Sequence, residues 1–169
     1  MAIINYSKLI LDQLVTNISS VMAGSVYNFT IKTCQKPFKN YIDWTQTEMP
    51  AVIVQTIGDE RYSYHGYIQE RVIQVLPFVL YGTIEERNSH KIEDDIELFK
   101  YDLETIINVN QSLNDCISPG RVLYVHINRA TRAIGKAEVE KMTTRKAWQR
   151  GLLVMTGEVS YSGNLITTV

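Results

Sequence analysis

The run ERVIQVLPFVLYG, residues 70–82, constrains this chain more than any other stretch. It reads as a β-strand, and strand alternation places Val72, Gln74, Leu76, Phe78 and Leu80 on one face. Ile73, Val75, Pro77, Val79 and Tyr81 fall on the other, so both faces are apolar. Burying a Val, Leu, Ile or Phe side chain is worth roughly 1.5–3 kcal/mol, which makes leaving either face wet costly. Helices can cover one face of a sheet. The second face then needs another layer, from the same chain closing into a sandwich or curled sheet, or from a neighbouring subunit. Pro77 cannot donate to a ladder and so marks an edge position or a bulge. A sheet edge that can pair repeatedly needs control, and a closed ring supplies it because each edge finds one partner and growth stops.

The flanking segments supply the rest of the architecture. Residues 5–22 carry Ile10, Leu11, Leu14, Val15, Ile18, Val21 and Met22 at helical spacing, with Gly24 as the expected left-handed cap. Residues 26–34 alternate as a half-buried strand, and PAVIVQTI (50–57) is a β-branched strand opened by proline. Residues 61–82 read as one long extended segment that Gly66 bends. Residues 88–110 form the clearest helix, with Ile92, Ile96, Phe99, Leu103, Ile106 and Ile107 on one side and Ser89 as its N-cap. Residues 121–128 and 149–163 are late strands, and 129–150 is a charged loop or hairpin extension between them. The expectation is a single domain, 1–169, of α+β class: a mainly antiparallel β-sheet with two principal amphipathic helices on one face.

Catalytic chemistry is not legible. No phosphate-binding glycine loop, nucleophile elbow or HExxH motif occurs. Cys34 and Cys116 are far apart and lack metal-ligand spacing, and they read as reduced thiols. His65 and His90 read as exposed, and His126 as a half-buried strand residue sharing a face with Val122 and Tyr124. Glu93, Asp94, Asp95 and Glu97 fan around a helix axis and read as a solvated acidic face. The expectation is a chain that is not an enzyme, with no catalytic residue, no cofactor and no metal. No window is apolar enough to span a bilayer, so no membrane is expected as a partner.

The chain is nearly neutral, but its charge is unevenly placed. Residues 85–104 hold eight acidic and three basic side chains. Residues 129–150 reverse the balance, with Arg129, Arg132, Lys136, Lys141, Arg145, Lys146 and Arg150 against Glu138 and Glu140. Three readings follow: two solvated surfaces, two complementary surfaces that meet within or between subunits, or a basic stretch against nucleic-acid phosphates. Trp148 is the single aromatic in the basic stretch, which argues against a base-stacking platform. The candidate contacts to a second subunit or partner are therefore Ile73, Val75, Val79, Tyr81, Glu93, Asp94, Asp95, Arg129, Arg132, Lys141, Arg145, Lys146 and Arg150.

An amphipathic helix (ILDQLVTNISSVM) precedes a proline-opened strand (MPAVIVQTIGDE) and a long extended segment (YIQERVIQVLPFVLYG). An acidic helix (IEDDIELFKYDLETIIN) and late strands (RVLYVHINR, GLLVMTGEVSYSG) complete the order. This order resembles that of the tail terminator proteins, also called neck terminator or tail completion proteins, of long-tailed bacteriophages. The resemblance implies a structural virion protein, assembled in the host cytoplasm, that forms a hexameric ring on the head-proximal end of the tail tube. Such a ring ends tube polymerisation and joins the tail to the neck and head. Its implied partners are copies of itself, the tail tube protein, a head-completion or neck protein and, in contractile tails, the sheath. DNA would pass through its channel without sequence-specific binding. The alternatives are another neck or tail component (head-closure, tube or baseplate protein) and a nucleic-acid-binding module using 129–150.

Overall fold

In the computed structural model, residues 5–36, 39–40, 43–58, 61–64, 71–86, 91–118, 120–136 and 149–164 are described. Helix α1 spans Tyr6–Ser19 and opens on Asn5, whose side chain accepts the Lys8 backbone N–H at 2.9 Å, a capping bond that satisfies one of the helix's free donors. It buries Ile10, Leu14 and Ile18 and ends at Ser20 in right-handed geometry. The expected left-handed cap at Gly24 is not used. Among the described glycines only Gly58 has a positive φ, at 66°, where it turns the chain after the second strand.

The expected strand over 26–34 is also corrected. The strand β1 is three residues long, Thr33–Gln35. The reason is a competing acceptor. The backbone N–H groups of Asn28 and Phe29 donate to the carboxylate of Asp102 rather than to a ladder. Further along, the Ile31 N–H donates to the Val21 carbonyl.

The remaining strands are β2 (Ala51–Thr56), β3 (Arg61–Tyr64), β4 (Arg71–Glu86), β5 (Arg121–Lys136) and β6 (Gln149–Asn164). Helix α2 spans Ile92–Val109 between β4 and β5. Its N-cap residue is Lys91, with no side-chain cap, and Ser89 lies outside the described residues. The six strands form one sheet in the order β1-β2-β4-β6-β5, with β3 beside β4. The β1–β2 pair is parallel and every other pair is antiparallel. The chain is thus α+β, and the basic segment continues the β5–β6 hairpin as far as Lys136.

Pro77 does not mark an edge strand, because β4 is central. β2 pairs with β4 as far as Phe78, and β3 resumes on the same side at Val75. Pro77 sits at that junction, and its carbonyl accepts the Ile57 N–H at 3.2 Å. In an antiparallel strand a residue's N and O point the same way, so the missing donor faces the gap between β2 and β3 and no bond to β6 is lost.

The helices pack on one face of the sheet, over Val52, Val54, Leu76, Phe78, Leu80, Leu153, Met155, Val159 and Tyr161. Two glycines let α2 sit close. A Cβ on Gly82 would lie 2.7 Å from the Phe99 ring, and one on Gly151 2.4 Å from Ile96.

Candidate functional site

What covers the second face decides what the chain can do. At one corner the chain covers it. Trp44, Met49, Ala51 and Ile53 form a small separate core there, with Tyr81 packed against it. The Trp44 segment is fastened from the sheet: the Arg150 guanidinium donates to the Trp44 carbonyl at 2.7 Å and to Glu85 at 3.2 Å. Glu48 receives the Thr45 N–H and hydroxyl and the Lys39 ammonium, and Lys39 in turn lies 4.6 Å above the Trp44 ring. Beyond this corner the face stays partly open. Ile73, Val75 and Pro77 on β4 and Leu152 and Val154 on β6 are half-buried, with no described segment of the chain laid over them as a second core. Val79 is enclosed, so it offers no surface to a partner.

The sheet ends on β5, sixteen residues long, and no described strand pairs with its outer side. Its register shifts twice, between Val122 and Tyr124 and between Ile127 and Arg129. The first bulge corrects the reading of His126. Val122 pairs with Tyr161 and is buried on the helix face, whereas Tyr124 and His126 pair with Ser160 and Glu158 on the other face, and His126 is exposed. Leu123, Tyr124 and Ile134 stand exposed along this strand. His65 and His90 lie outside the residues whose side chains are described.

The charged residues separate into spent and unspent. Arg132 crosses to α2 and pairs with Glu97, which also meets Lys100 at 3.0 Å. Arg150 is held by Glu85 as above. These pairs join the acidic and basic stretches within one subunit. Asp95 is half-buried, and burial pushes its carboxyl up, with the neighbouring Glu86 charge adding to the effect. Glu93, Asp94 and Arg129 are exposed, and none of them has an ion-pair partner among the described residues. Lys141, Arg145, Lys146 and Trp148 lie outside the described residues.

No family model matches the chain, and no curated protein matches it. Among solved structures it is similar to a chain from the virion of a native gene transfer agent particle, at 13% identity and a TM-score of 0.31, covering 91% of this chain and 93% of that one. A likeness at that level carries no argument, so function rests on the residues and their geometry.

Two features were missed in the sequence. Leu98 and Tyr101 stand exposed on α2, on the side away from the core. Their spacing, with Asp94 one turn before, is visible on a helical wheel once the core stripe is known. Asp102 is the other. It is wholly buried, and only its place one step from Leu103 in the core stripe hinted at that. Among the described residues no three His, Cys, Asp or Glu side chains group as metal ligands, and no helix is long and apolar enough to cross a membrane.

Proposed function

We propose that this chain is a structural, non-enzymatic subunit of a phage-like tail: a terminator that assembles into a ring on the head-proximal end of the tail tube, stops its growth and joins it to the neck. The observation that carries the reading is the asymmetry of the sheet. One face is packed by α1 and α2, while among the described residues the other is covered only at the Trp44 corner, and the sheet is bounded by a sixteen-residue edge strand. A half-covered apolar face beside an open edge suits a molecule completed by neighbours, and closure into a ring keeps such an edge from pairing without limit. The order of elements, which resembles that of the tail terminators, supplies the setting. In that setting the partners are copies of the chain, the tail tube protein and a neck protein, with DNA passing through the channel.

The test has two parts. Light scattering of the purified chain, alone and mixed with tail tube protein, should show a ring-sized species in at least the mixture. Tails assembled without this chain should have overlong tubes. A chain that stays monomeric beside the tube, or headless tails of normal length in its absence, would overturn the reading; self-assembly into filaments would point to a tube protein instead.

A further inference from the structure

We propose that neighbouring copies meet head to tail, the outer side of α2 on one copy seating against the outer edge of β5 on the next. This rests on the ring reading and names its contact. Both surfaces carry the same kind of pattern with opposite sign. On α2, Glu93 and Asp94 lead into Leu98 and Tyr101, which are 42% and 58% exposed. On β5, Arg121 and Arg129 bracket Leu123 and Tyr124, which are 44% and 46% exposed.

Intramolecular pairing leaves these particular charges over. Glu97 takes Arg132 and Glu85 takes Arg150. Glu93, Asp94, Arg121 and Arg129 have no ion pair among the described residues. The spans also agree. Asp94 and Tyr101 are seven helical steps apart, about 10 Å along the axis. Tyr124 and Arg129 are separated by four ladder steps, opposite Ser160 and Thr156, or about 13 Å. Arg and Tyr side chains are long enough to absorb the difference.

The two surfaces differ, so the contact is heterologous, the type that generates rings when its rotation closes. Apolar pairs at its centre and opposite charges around them match the usual anatomy of a protein interface. The outer backbone groups of β5, which no described strand pairs, would be shielded by the covering helix rather than extended by another strand.

The experiment uses charge reversal on the full chain, with folding checked by circular dichroism. Glu93→Lys with Asp94→Lys on one variant, and Arg121→Glu with Arg129→Glu on another, should each raise the concentration for half-assembly by about tenfold or more. Carrying all four changes on one chain should restore assembly. An equimolar mixture of the two variants should also restore it, because each altered surface then meets its complement. Tyr101→Ser, which leaves the charges alone, should weaken assembly as well. Reversed variants that assemble like the wild type, or a four-fold variant that folds but fails to recover, would overturn this contact while leaving the ring reading standing. A wild-type chain that never assembles, even on tail tubes, would remove both.

Discussion

The carboxylate of Asp102, wholly buried in α2, receives the backbone N–H of Asn28 at 2.8 and 3.0 Å from its two oxygens. The Asn28 side-chain amide and the Phe29 N–H, both at 2.8 Å, complete the set. Four donor contacts from one turn hold the 21–31 segment onto the helix, and Phe29 then packs edge-on against Phe99 at 5.6 Å. Asp102→Ala would take the acceptor from two backbone donors, on exposed Asn28 and half-buried Phe29, and leave a gap where a buried carboxylate stood. The expected loss is about 1–3 kcal/mol, since bonds to charged acceptors are the strong ones and water can replace only part of what the two donors lose. Urea unfolding of the variant checks this, and a change within error of zero would show that the segment finds other partners.

Three strand glycines on the helix-facing side should differ in how much a methyl group costs. At Gly82 and Gly151 the added carbon meets the ends of Phe99 and Ile96, side chains that can turn aside. Overpacking of that kind costs about 1–3 kcal/mol. At Gly157 it would stand 2.4 Å from the His126 carbonyl oxygen, which is backbone next to a bulge, and 2.6 Å from the Phe78 ring. Gly157→Ala should therefore be the most destabilising of the three by thermal melting. Equal melting points for all three variants would show that the bulge yields as readily as a side chain.

That ordering also explains how far the sequence could be read. β2, the core of β4, and α2 were legible because burial selected their side chains at strand or helix period, as with Leu76, Phe78 and Leu80. The bounds of β1 are not legible because the alternation of Tyr27, Phe29 and Ile31 resembles a strand, while the N–H groups of Asn28 and Phe29 are bonded by a carboxylate seventy-odd residues away and that of Ile31 by the Val21 carbonyl. The outer half of β5 was open to two readings because Arg129 to Ile134 lie at an edge where little is buried, so no period is imposed. A bulge then exchanges faces within a few residues, and plain strand alternation therefore groups His126 with Val122. Of the candidate contacts, the apolar face of β4 was visible in outline. The closing of its corner by Trp44 was not, since it depends on Arg150 reaching a backbone carbonyl more than a hundred residues earlier.

The two cysteines should react at different rates. Burial pushes the Cys34 thiol up to about 12, and the Ser19 hydroxyl offsets this only in part. Burial raises Cys116 as well, but Cys116 is less enclosed than Cys34 and lies at the end of a surface turn after α2. Thiolate is the reacting form, so at about pH 8 a disulfide reagent should label Cys116 first and Cys34 only slowly until denaturant is added. Mass spectrometry of the labelled peptides reads the order. Faster labelling at Cys34 would mean that the cover over β1 opens in solution.

Glu48 provides a pH test of the Trp44 corner. The Lys39 ammonium, then the Thr45 N–H and hydroxyl, hold its carboxyl well below the ordinary 4.5, at about 2. A carboxylate depressed in the folded state contributes stability that is fully present above its unfolded value and is lost as pH falls through the folded one. The window is therefore about 4.5 down to about 2. The site is open to solvent, so the contribution is screened and small. The expected signs are a Glu48 carboxyl carbon that titrates near the lower value by nuclear magnetic resonance and an acid-unfolding curve that is shallower in Glu48→Gln across that window. Lys39→Ala should move the titration back up, because it removes the largest single influence while leaving the Thr45 donors in place. A Glu48 that titrates at its ordinary value in the intact chain would show that the Trp44 corner is not fastened in solution, and the second face of the sheet would then be more open than its half-buried residues suggest.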